Sequence, residues 1–316
     1  MPFAKFFSTE EWAAHFPAGS RPTALAIGNF DGLHLGHQQI LRRVLQRARQ
    51  ENYVAAVLTF CPHPTQVLRP TDAPPLLMTL DQRLGAIAAM GLDAALVIRF
   101  DPEFAKITPE DFVLRYAVET MRARMVAVGA NFRFGHRQAG NVNTLVDLGT
   151  RCGFEVESIA PVDAGGVIVS STAIRKHLRE GQVEEAARML GRPYALEGEI
   201  RTGTGMGRKF VVPTLNLSTQ QELLPKLGVY ATEVSVAGGN YRAATNVGNR
   251  PTFDGAHVTI ESYLLDFSEN LTSGPMAVRF LARLRDEMKF SGPEALREQV
   301  LSDIEQVKKY FLAPKK

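Results

Sequence analysis

The sequence has few cysteines, no long hydrophobic run and little net charge. Only Cys61 and Cys152 occur in 316 residues, and neither has a second thiol or clustered histidines at metal-ligand spacing. This argues against a cysteine-based metal site and favours a reducing compartment. No apolar run approaches the roughly 18 residues that a membrane helix needs, and the first 20 residues lack a signal peptide's continuous apolar core. We therefore expect a cytoplasmic protein with no membrane partner.

The charges are nearly balanced along the whole chain. Lysine and arginine number 36 against 33 acidic residues, for a net charge of +3. Such a small excess weakly favours anionic small molecules and gives no sign of a nucleic-acid partner. The 45% hydrophobic content predicts globular folding with a sizeable core, and the length predicts two domains. The sequence carries no signal for an oligomeric state.

Two different patterns divide the chain. From residue 24 to about 160, strand-like apolar runs alternate with amphipathic helical patterns, which predicts a parallel sheet with helices on both faces. After about residue 190, short alternating strands predict an antiparallel barrel, and the stretch 292–311 predicts a closing helix. Two short helices broken at Gly181 lie between the patterns. We expect domains at 1–186 and 187–316.

The stretch "GNFDGLHLGH", residues 28–37, follows the first predicted strand and enters a helical pattern. Its glycines let the backbone approach a ligand, and the free amides and dipole of the following helix favour an anion. His34 and His37 are three residues apart and can donate hydrogen bonds to phosphoryl oxygens. Phosphate transfer is therefore one interpretation. The alternative is a tight loop with surface or capping histidines.

This stretch resembles the HxGH nucleotidyltransferase motif of bacterial bifunctional riboflavin kinase/FMN adenylyltransferases. The segments "TFCPHP" at 59–64, "GANFRFGHRQAGN" at 129–141 and "SSTAIR" at 170–175 agree with that family in order and spacing. The resemblance implies a Rossmann-like nucleotidyltransferase domain followed by a riboflavin kinase-like barrel with a terminal helix. It also implies ATP as co-substrate, Mg²⁺ as cofactor, and riboflavin, FMN and FAD as ligands.

The resemblance assigns roles to residues of the first domain. His34, His37 and Arg175 are implied as catalytic. The residues implied to bind ATP are Gly28, Asn29, Phe30, Asp31, Gly36, Ser171 and Thr172. Those implied to bind the flavin are Phe60, His63, Asn131, Phe132 and Arg133. Helix capping remains the alternative for the hydroxyls, and core packing for the phenylalanines. The family usually has aspartate where Cys61 and Asn131 stand, so a negative charge is missing at each place.

In the barrel, "GRKFVVPTLNLS" at 207–218 resembles the riboflavin kinase motif with its PTxN core. The resemblance implies that Thr214 and Asn216 hold nucleotide phosphates and Mg²⁺, that Glu261 is the catalytic base and that Arg250 contacts the flavin. The ATP-binding arch would comprise Gly203, Gly205, Gly207 and Arg208. A glycine-rich hairpin and a solvated strand glutamate are the alternatives. The family's Leu-Gly-Phe is Phe-Val-Val at 210–212, and its Tyr-Gly-Lys is Ser-Gly-Pro at 273–275.

These motifs together predict a two-step enzyme. The barrel would phosphorylate riboflavin to FMN, and the first domain would adenylylate FMN to FAD with release of pyrophosphate. One rival is an adenylyltransferase for another phosphorylated acceptor, with a barrel that only binds ligand. Another is a flavin or nucleotide sensor without turnover, against which the intact motif residues argue.

Overall fold

The computed structural model describes residues 2–201, 213–252, 255–269 and 271–313. The chain divides into two compact units, Met1–Ser170 and Ser171–Lys316, and each is described by itself. The break comes before the two short helices, whereas we expected the domain limit within the second of them, at 186/187. That limit between functional domains stays a prediction.

The first unit is built on parallel strands. They are β1 (Ala4–Phe6), β2 (Thr23–Ile27), β3 (Val54–Cys61), β4 (Ala94–Arg99), β5 (Ala123–Gly129) and β8 (Glu155–Ile159), while β6 (Arg133–Phe134) and β7 (Gly140–Asn141) form a separate ribbon. The sheet order is β1-β4-β3-β2-β5-β8. Strand β2 is buried along its whole length and lies between β3 and β5. The predicted parallel sheet is confirmed, and β1 is an edge strand that the alternation did not reveal.

Helices cover both faces of this sheet, as predicted. They are α1 (Thr9–His15), α2 (Leu35–Glu51), α3 (Pro64–Leu68), α4 (Leu80–Ala89), α5 (Pro109–Phe112), which continues as a π-helix over Val113–Thr120, and α6 (Val142–Cys152). Alternate residues of β2 enter different cores: Leu25 and Ile27 join one apolar cluster, and Ala24 and Ala26 join the other. The small side chains of the second pair leave room for α2 to pack closely.

The second unit begins with two helices and continues as a closed antiparallel barrel. The helices are α7 (Ser171–Glu180) and α8 (Val183–Leu190), and the strands are β9 (Tyr194–Arg201), β10 (Leu215–Thr219), β11 (Gly228–Val236), β12 (Gly239–Thr252), β13 (Gly255–Leu264) and β14 (Pro275–Arg285). The barrel order is β10-β13-β12-β11-β14-β9. Between the helices Gly181 has φ +81°, so the predicted break falls at a left-handed glycine.

The closing helix, α9 (Pro293–Leu312), packs on the outside of the barrel. Ile304 and Val307 contribute to its apolar contact, whereas Leu296 in the first turn, which matches their helical spacing in the sequence, is 37% exposed. Asp303, only 2% exposed, receives two hydrogen bonds from Arg285 of β14, at 2.8 Å from Nε and 2.6 Å from an amino group. This bidentate pair fixes the helix to the strand.

Candidate functional site

The turn between β2 and α2 lies at the carboxyl edge of the sheet. Its backbone is left-handed at Phe30 (φ 54°), Gly32 (φ +80°) and Leu33 (φ 42°). A Cβ on Gly32 would also lie 2.6 Å from Leu77 Cδ1, so space and conformation both require glycine there. The Gly28 N–H donates to the Leu58 carbonyl oxygen at 3.1 Å, which anchors the start of the turn on β3.

His34 is the N-cap of α2. Its Nδ1 accepts a hydrogen bond from the His37 backbone N–H at 3.3 Å, and the residue is only 7% exposed. Because Nδ1 is an acceptor, the proton of the neutral ring is on Nε2. His34 thus caps the helix with one ring nitrogen and has an N–H donor at the other. The capping alternative and the phosphate interpretation are therefore compatible.

Gly36 explains the spacing of the two histidines. The rings of His34 and His37 stack with centroids 3.6 Å apart and planes at 17°. A Cβ on Gly36 would lie 3.3 Å from both Cε1 and Nδ1 of the His34 ring, tighter than ordinary van der Waals contact. The glycine between the histidines therefore lets the capping ring lie against the first turn of the helix.

His37 is held in its neutral form. Desolvation lowers the pKa of His37 well below its ordinary value, and the charges of His34 and Arg83 act in the same direction. Its Nδ1 is buried and has no hydrogen-bond partner within the described part of the chain. The Phe30 ring meets it edge-on, with centroids 5.3 Å apart. A neutral imidazole of this kind can donate one hydrogen bond without carrying a charge.

Asp31, implied to bind ATP, points toward a neighbouring loop. Its carboxylate is 3% exposed and accepts the Leu77 N–H at 3.0 and 3.1 Å and the Met78 N–H at 3.2 Å. These charge-assisted bonds attach the turn to the segment that leads into α4. The geometry therefore gives Asp31 an anchoring role, and a nucleotide contact for it stays a prediction.

Arg83 of α4 is a functional candidate that the sequence reasoning missed. It is 6% exposed and donates to the Asn29 carbonyl at 2.5 Å and to the Phe60 carbonyl at 3.1 Å. Its buried helix neighbours are Leu84 and Ile87. The sequence did contain a signal for it, since Arg83 falls on the apolar stripe of an amphipathic helix. A charged residue is rarely buried at such a position without a partner.

The residues implied to bind the flavin lie on both sides of the turn. Phe60 and His63 are at the end of β3 and the start of α3, and residues 131–133 follow β5. Because β3 and β5 are the two neighbours of β2, both groups reach the same sheet edge as the histidine pair.

The aromatic members of this group have a partly structural environment. Phe60 is half-buried and contacts the rings of Phe100, Phe104 and Phe112 at centroid distances of 6.0, 5.9 and 6.3 Å. Phe132 stacks on Phe134 at 5.3 Å, so core packing accounts for part of both side chains. Asn131 and Arg133 are exposed, and His63 caps α3 through Nδ1. Cys61 is a half-buried free thiol.

Ser171, Thr172 and Arg175 lie in the first turns of α7, in the second compact unit. Thr172 is exposed, Ser171 is half-buried and Arg175 is buried at 6% exposure. The first turn of a helix has backbone N–H groups with no partner inside the helix, which suits both a cap and an anion. Their contact with ATP stays a prediction.

In the barrel, strand register brings two implied kinase residues together. Asn216 of β10 is the cross-strand partner of Glu261 of β13, which is in turn the partner of Asn246 of β12. Directly paired residues share a face of the sheet, with Cβ atoms about 4.5–5.5 Å apart. All three side chains are half-buried. Asn246 is a second functional candidate that the sequence reasoning missed.

This polar row lies on the outer face of the barrel. The next residues along the two strands, Thr245 and Ser262, are fully buried and hydrogen-bonded to each other at 2.8 Å. Ala244 and Tyr263 pack with the α9 cluster outside the barrel, and alternation puts Asn246 and Glu261 on their face. Thr214 is half-buried just before β10. Gly203, Gly205, Gly207, Arg208 and the Phe-Val-Val at 210–212 lie outside the described residues, as does the side chain of Arg250.

Two family models match the chain in tandem: FAD synthetase over residues 17–173 and riboflavin kinase over residues 190–311. A bifunctional riboflavin kinase/FMN adenylyltransferase from Haemophilus influenzae is 34% identical over 289 residues, 91% of this chain and 94% of the relative. The chain belongs to the bifunctional riboflavin kinase/FMN adenylyltransferase family. The predicted family is thereby confirmed.

Other family members show similar coverage. The Escherichia coli K12 protein is 33% identical over 91% of this chain and 92% of its own length, and the Listeria monocytogenes protein is 33% identical over 96% and 95%. A solved structure described as a macrolide-efflux protein from Streptococcus pneumoniae has a TM-score of 0.86 and 27% identity, covering 98% and 99% of the two chains.

Within the ranges described above, no helix is long and apolar enough to cross a membrane.

Proposed function

We propose that this chain makes FAD from riboflavin in two ATP-dependent steps. The barrel transfers the γ-phosphate of ATP to riboflavin, and the N-terminal domain transfers the AMP part of a second ATP to FMN. One observation carries the proposal: the same chain has a histidine pair at the sheet edge, in which His34 caps α2, and a cross-strand Asn216–Glu261 pair in the barrel. We keep 1–186 and 187–316 as the functional domains, so α7 counts with the adenylyltransferase.

In adenylyl transfer, a phosphate oxygen of FMN attacks the α-phosphorus of ATP in line. The bond from that phosphorus to the bridging oxygen breaks, and pyrophosphate leaves with the electron pair. Negative charge on the phosphoryl oxygens is stabilised by donors that are already oriented. His34 supplies its Nε2–H, His37 supplies a second imidazole donor, and the amides at the start of α2 face the same anion. Arg175 is the residue that the family resemblance implies as the fixed positive charge of this step.

The flavin of FMN would lie beside the histidine pair, between the ends of β3 and β5. Phe60 and Phe132 offer aromatic faces there, and His63, Asn131 and Arg133 offer polar groups. The two exposed members, Asn131 and Arg133, are the ones accessible for contacts with a ligand.

In the kinase step, the riboflavin 5′-hydroxyl oxygen attacks the γ-phosphorus of ATP, and ADP leaves. Glu261 accepts the hydroxyl proton as the new bond forms, and it later releases that proton to solvent. The cross-strand position of Asn216 places an amide next to this carboxylate, where it can orient the phosphate.

The oxygen donors of the barrel fit Mg²⁺. Thr214 contributes a hydroxyl and Asn216 an amide oxygen, which are hard ligands, and Mg²⁺ in phosphate-transfer sites has few protein ligands and keeps several waters. Bound there, Mg²⁺ would neutralise charge on the ATP phosphates.

We also propose the cytoplasm as the site of action. Both cysteines are free thiols, which is compatible with a reducing compartment, and the reaction consumes ATP.

The test is a flavin assay with separable steps. The protein is incubated with riboflavin, ATP and Mg²⁺, and the flavins are resolved by chromatography. Wild type should form FMN and then FAD. His37→Ala should accumulate FMN without FAD, because the substitution removes only a hydrogen-bond donor for the adenylyl-transfer step. Glu261→Gln should form no FMN but should still convert supplied FMN to FAD.

A matched control tests whether the loss of FMN formation is specific to Glu261 or would follow from substitution of any glutamate in a barrel strand. Glu233 of β11 is a half-buried barrel glutamate that accepts a hydrogen bond from Arg279, and Glu233→Gln should retain both activities. Loss of both activities in a folded His37 or Glu261 variant would contradict separate sites. Absence of both FMN and FAD with wild type would instead favour a binding protein.

A further inference from the structure

Arg83 is a buried cation that the two-step mechanism does not use. We propose that it is a positioning residue for adenylyl transfer: it ties the turn before α2 to the end of β3 and keeps a permanent positive charge beside the histidine pair. This role rests on the adenylyl transfer proposed above. It adds a residue of α4 to a site otherwise built from α2 and the ends of β2, β3 and β5.

The guanidinium bridges two central strands. One amino group donates to the Asn29 carbonyl, two residues after β2, at 2.5 Å, and the other donates to the Phe60 carbonyl in β3 at 3.1 Å. The same Asn29 carbonyl accepts the Thr59 hydroxyl at 3.3 Å. Because the two amino groups form a rigid planar fork, one side chain sets the separation of both strand ends. A lysine could reach only one of these carbonyls well.

A second connection runs in the opposite direction. The Asp31 carboxylate accepts N–H groups of Leu77 and Met78, just before α4, while Arg83 from α4 donates to the turn that contains Asp31. The turn and the start of α4 therefore hold each other through two separate contacts. Phosphoryl transfer depends on geometry, so movement of the turn by about 1 Å is expected to cost rate.

The charge of Arg83 needs its own explanation. Burial lowers its pKa, and Asp31 and Cys61 act against this, yet both direct partners are neutral carbonyls. Its buried Nε has no hydrogen-bond partner among the residues described. Burial of a guanidinium on neutral partners is unfavourable, and an apolar side chain of similar length would fill the space without desolvating a charge. A positive field at the anion site accounts for a cation here.

That field acts on His37. The charged or titratable groups that face His37 are His34 of the same helix and Arg83 of α4, while Asp31 of the turn and Cys61 of β3 face Arg83. Arg83 stays protonated throughout the accessible pH range, so it lowers the pKa of His37 at every pH. The site thus keeps a positive charge for phosphate while the His37 imidazole remains a neutral donor.

The experiment compares Arg83→Met, Arg83→Lys and a control, Arg47→Met. Arg47 is a partly buried arginine of α2 that pairs with Glu51 and Glu155 away from the turn. Two quantities are measured on the full chain: the pH profile of FAD formation from FMN, and the His37 titration by NMR without substrate, assigned with His37→Gln. FMN formation from riboflavin reports on the intact barrel in every variant.

Arg83→Met should lower the rate of FAD formation by about 100-fold at neutral pH, with FMN formation unchanged. Its His37 pKa should rise toward the ordinary value, and the acid limb of the profile should move to higher pH with it. Arg83→Lys should keep the low His37 pKa, because it keeps the positive charge. It should recover only part of the rate, because it loses one of the two hydrogen bonds to the strand-end carbonyls. Arg47→Met should change neither quantity.

A folded Arg83→Met protein with wild-type FAD rate and an unmoved His37 titration would overturn the proposal. If that variant does not fold, Arg83→Lys decides: wild-type rate, or a His37 pKa raised despite the retained charge, overturns it. The titration is independent of turnover, so a wild-type protein that makes no FAD would contradict the proposed function and not the electrostatic coupling.

Discussion

His34 combines two roles that one substitution can separate. In the wild-type protein the His37 backbone nitrogen lies 3.3 Å from Nδ1 of His34. Asparagine has its side-chain oxygen at the place of this Nδ1, so His34→Asn keeps an acceptor for the His37 N–H. It removes the Nε2–H donor. His34→Ala removes both. Loss of an N-cap costs about 0.5–2 kcal/mol, and loss of one pre-oriented donor at a developing charge costs about 2.7–4 kcal/mol of activation energy.

We therefore expect His34→Asn to unfold near the wild-type temperature and His34→Ala to unfold several degrees lower, at about 2–4 °C per kcal/mol. Both should form FAD about 10²–10³-fold more slowly than wild type, with FMN formation from riboflavin unchanged. Thermal unfolding and flavin chromatography measure the two effects. A His34→Asn protein that retains FAD formation within a few-fold of wild type would refute the claim that the ring acts on phosphate.

Three further predictions follow from the described contacts. Asn216→Ala should reduce FMN formation at least about 10²-fold while FAD formation from supplied FMN persists; equal loss of both in the flavin assay would contradict its place in the kinase site. Asp303→Ala leaves the partly buried Arg285 without its carboxylate partner and should destabilise the second unit by about 3 kcal/mol in urea unfolding, and a change below about 1 kcal/mol would disprove the bridge. The depressed pKa of His37 means that the unfolded chain binds its proton first, so stability should fall as pH drops below about 6.5, by about 1.4 kcal/mol per pH unit; His37→Gln should have a flatter profile.

The hydrophobic pattern predicted most of the secondary structure. Strand β2 was visible as a short continuous apolar run, and α2 was visible because a long, strongly periodic segment leaves few alternatives. The three-residue β1 was not, since so short a segment has no measurable period, and its pairing with β4 is set by tertiary contact. Leu296 matched the helical stripe but is exposed, because periodicity does not say where the partner surface ends.

The candidate site was predictable only in part. The glycine-histidine spacing pointed to an anion site. The stacking of the two rings and the capping by Nδ1 of His34 depend on helix geometry, which the amino-acid sequence does not show directly. The pairing of Asn216 with Glu261 depends on strand register across 45 residues of chain. Arg83 was missed because an arginine near an apolar stripe usually extends to solvent. Local chemistry is readable from sequence, whereas long-range register and buried charge are not.

The most direct test of two different phosphate-transfer reactions is an isotope experiment on the wild-type chain. Riboflavin is incubated with Mg²⁺ and ATP labelled either at the γ-phosphate or at the α-phosphate, and the label in each flavin is counted after separation. The account predicts γ-label in both FMN and FAD, and α-label in FAD but never in FMN. Label from the α-phosphate in FMN, or FAD formed without α-label, would contradict it.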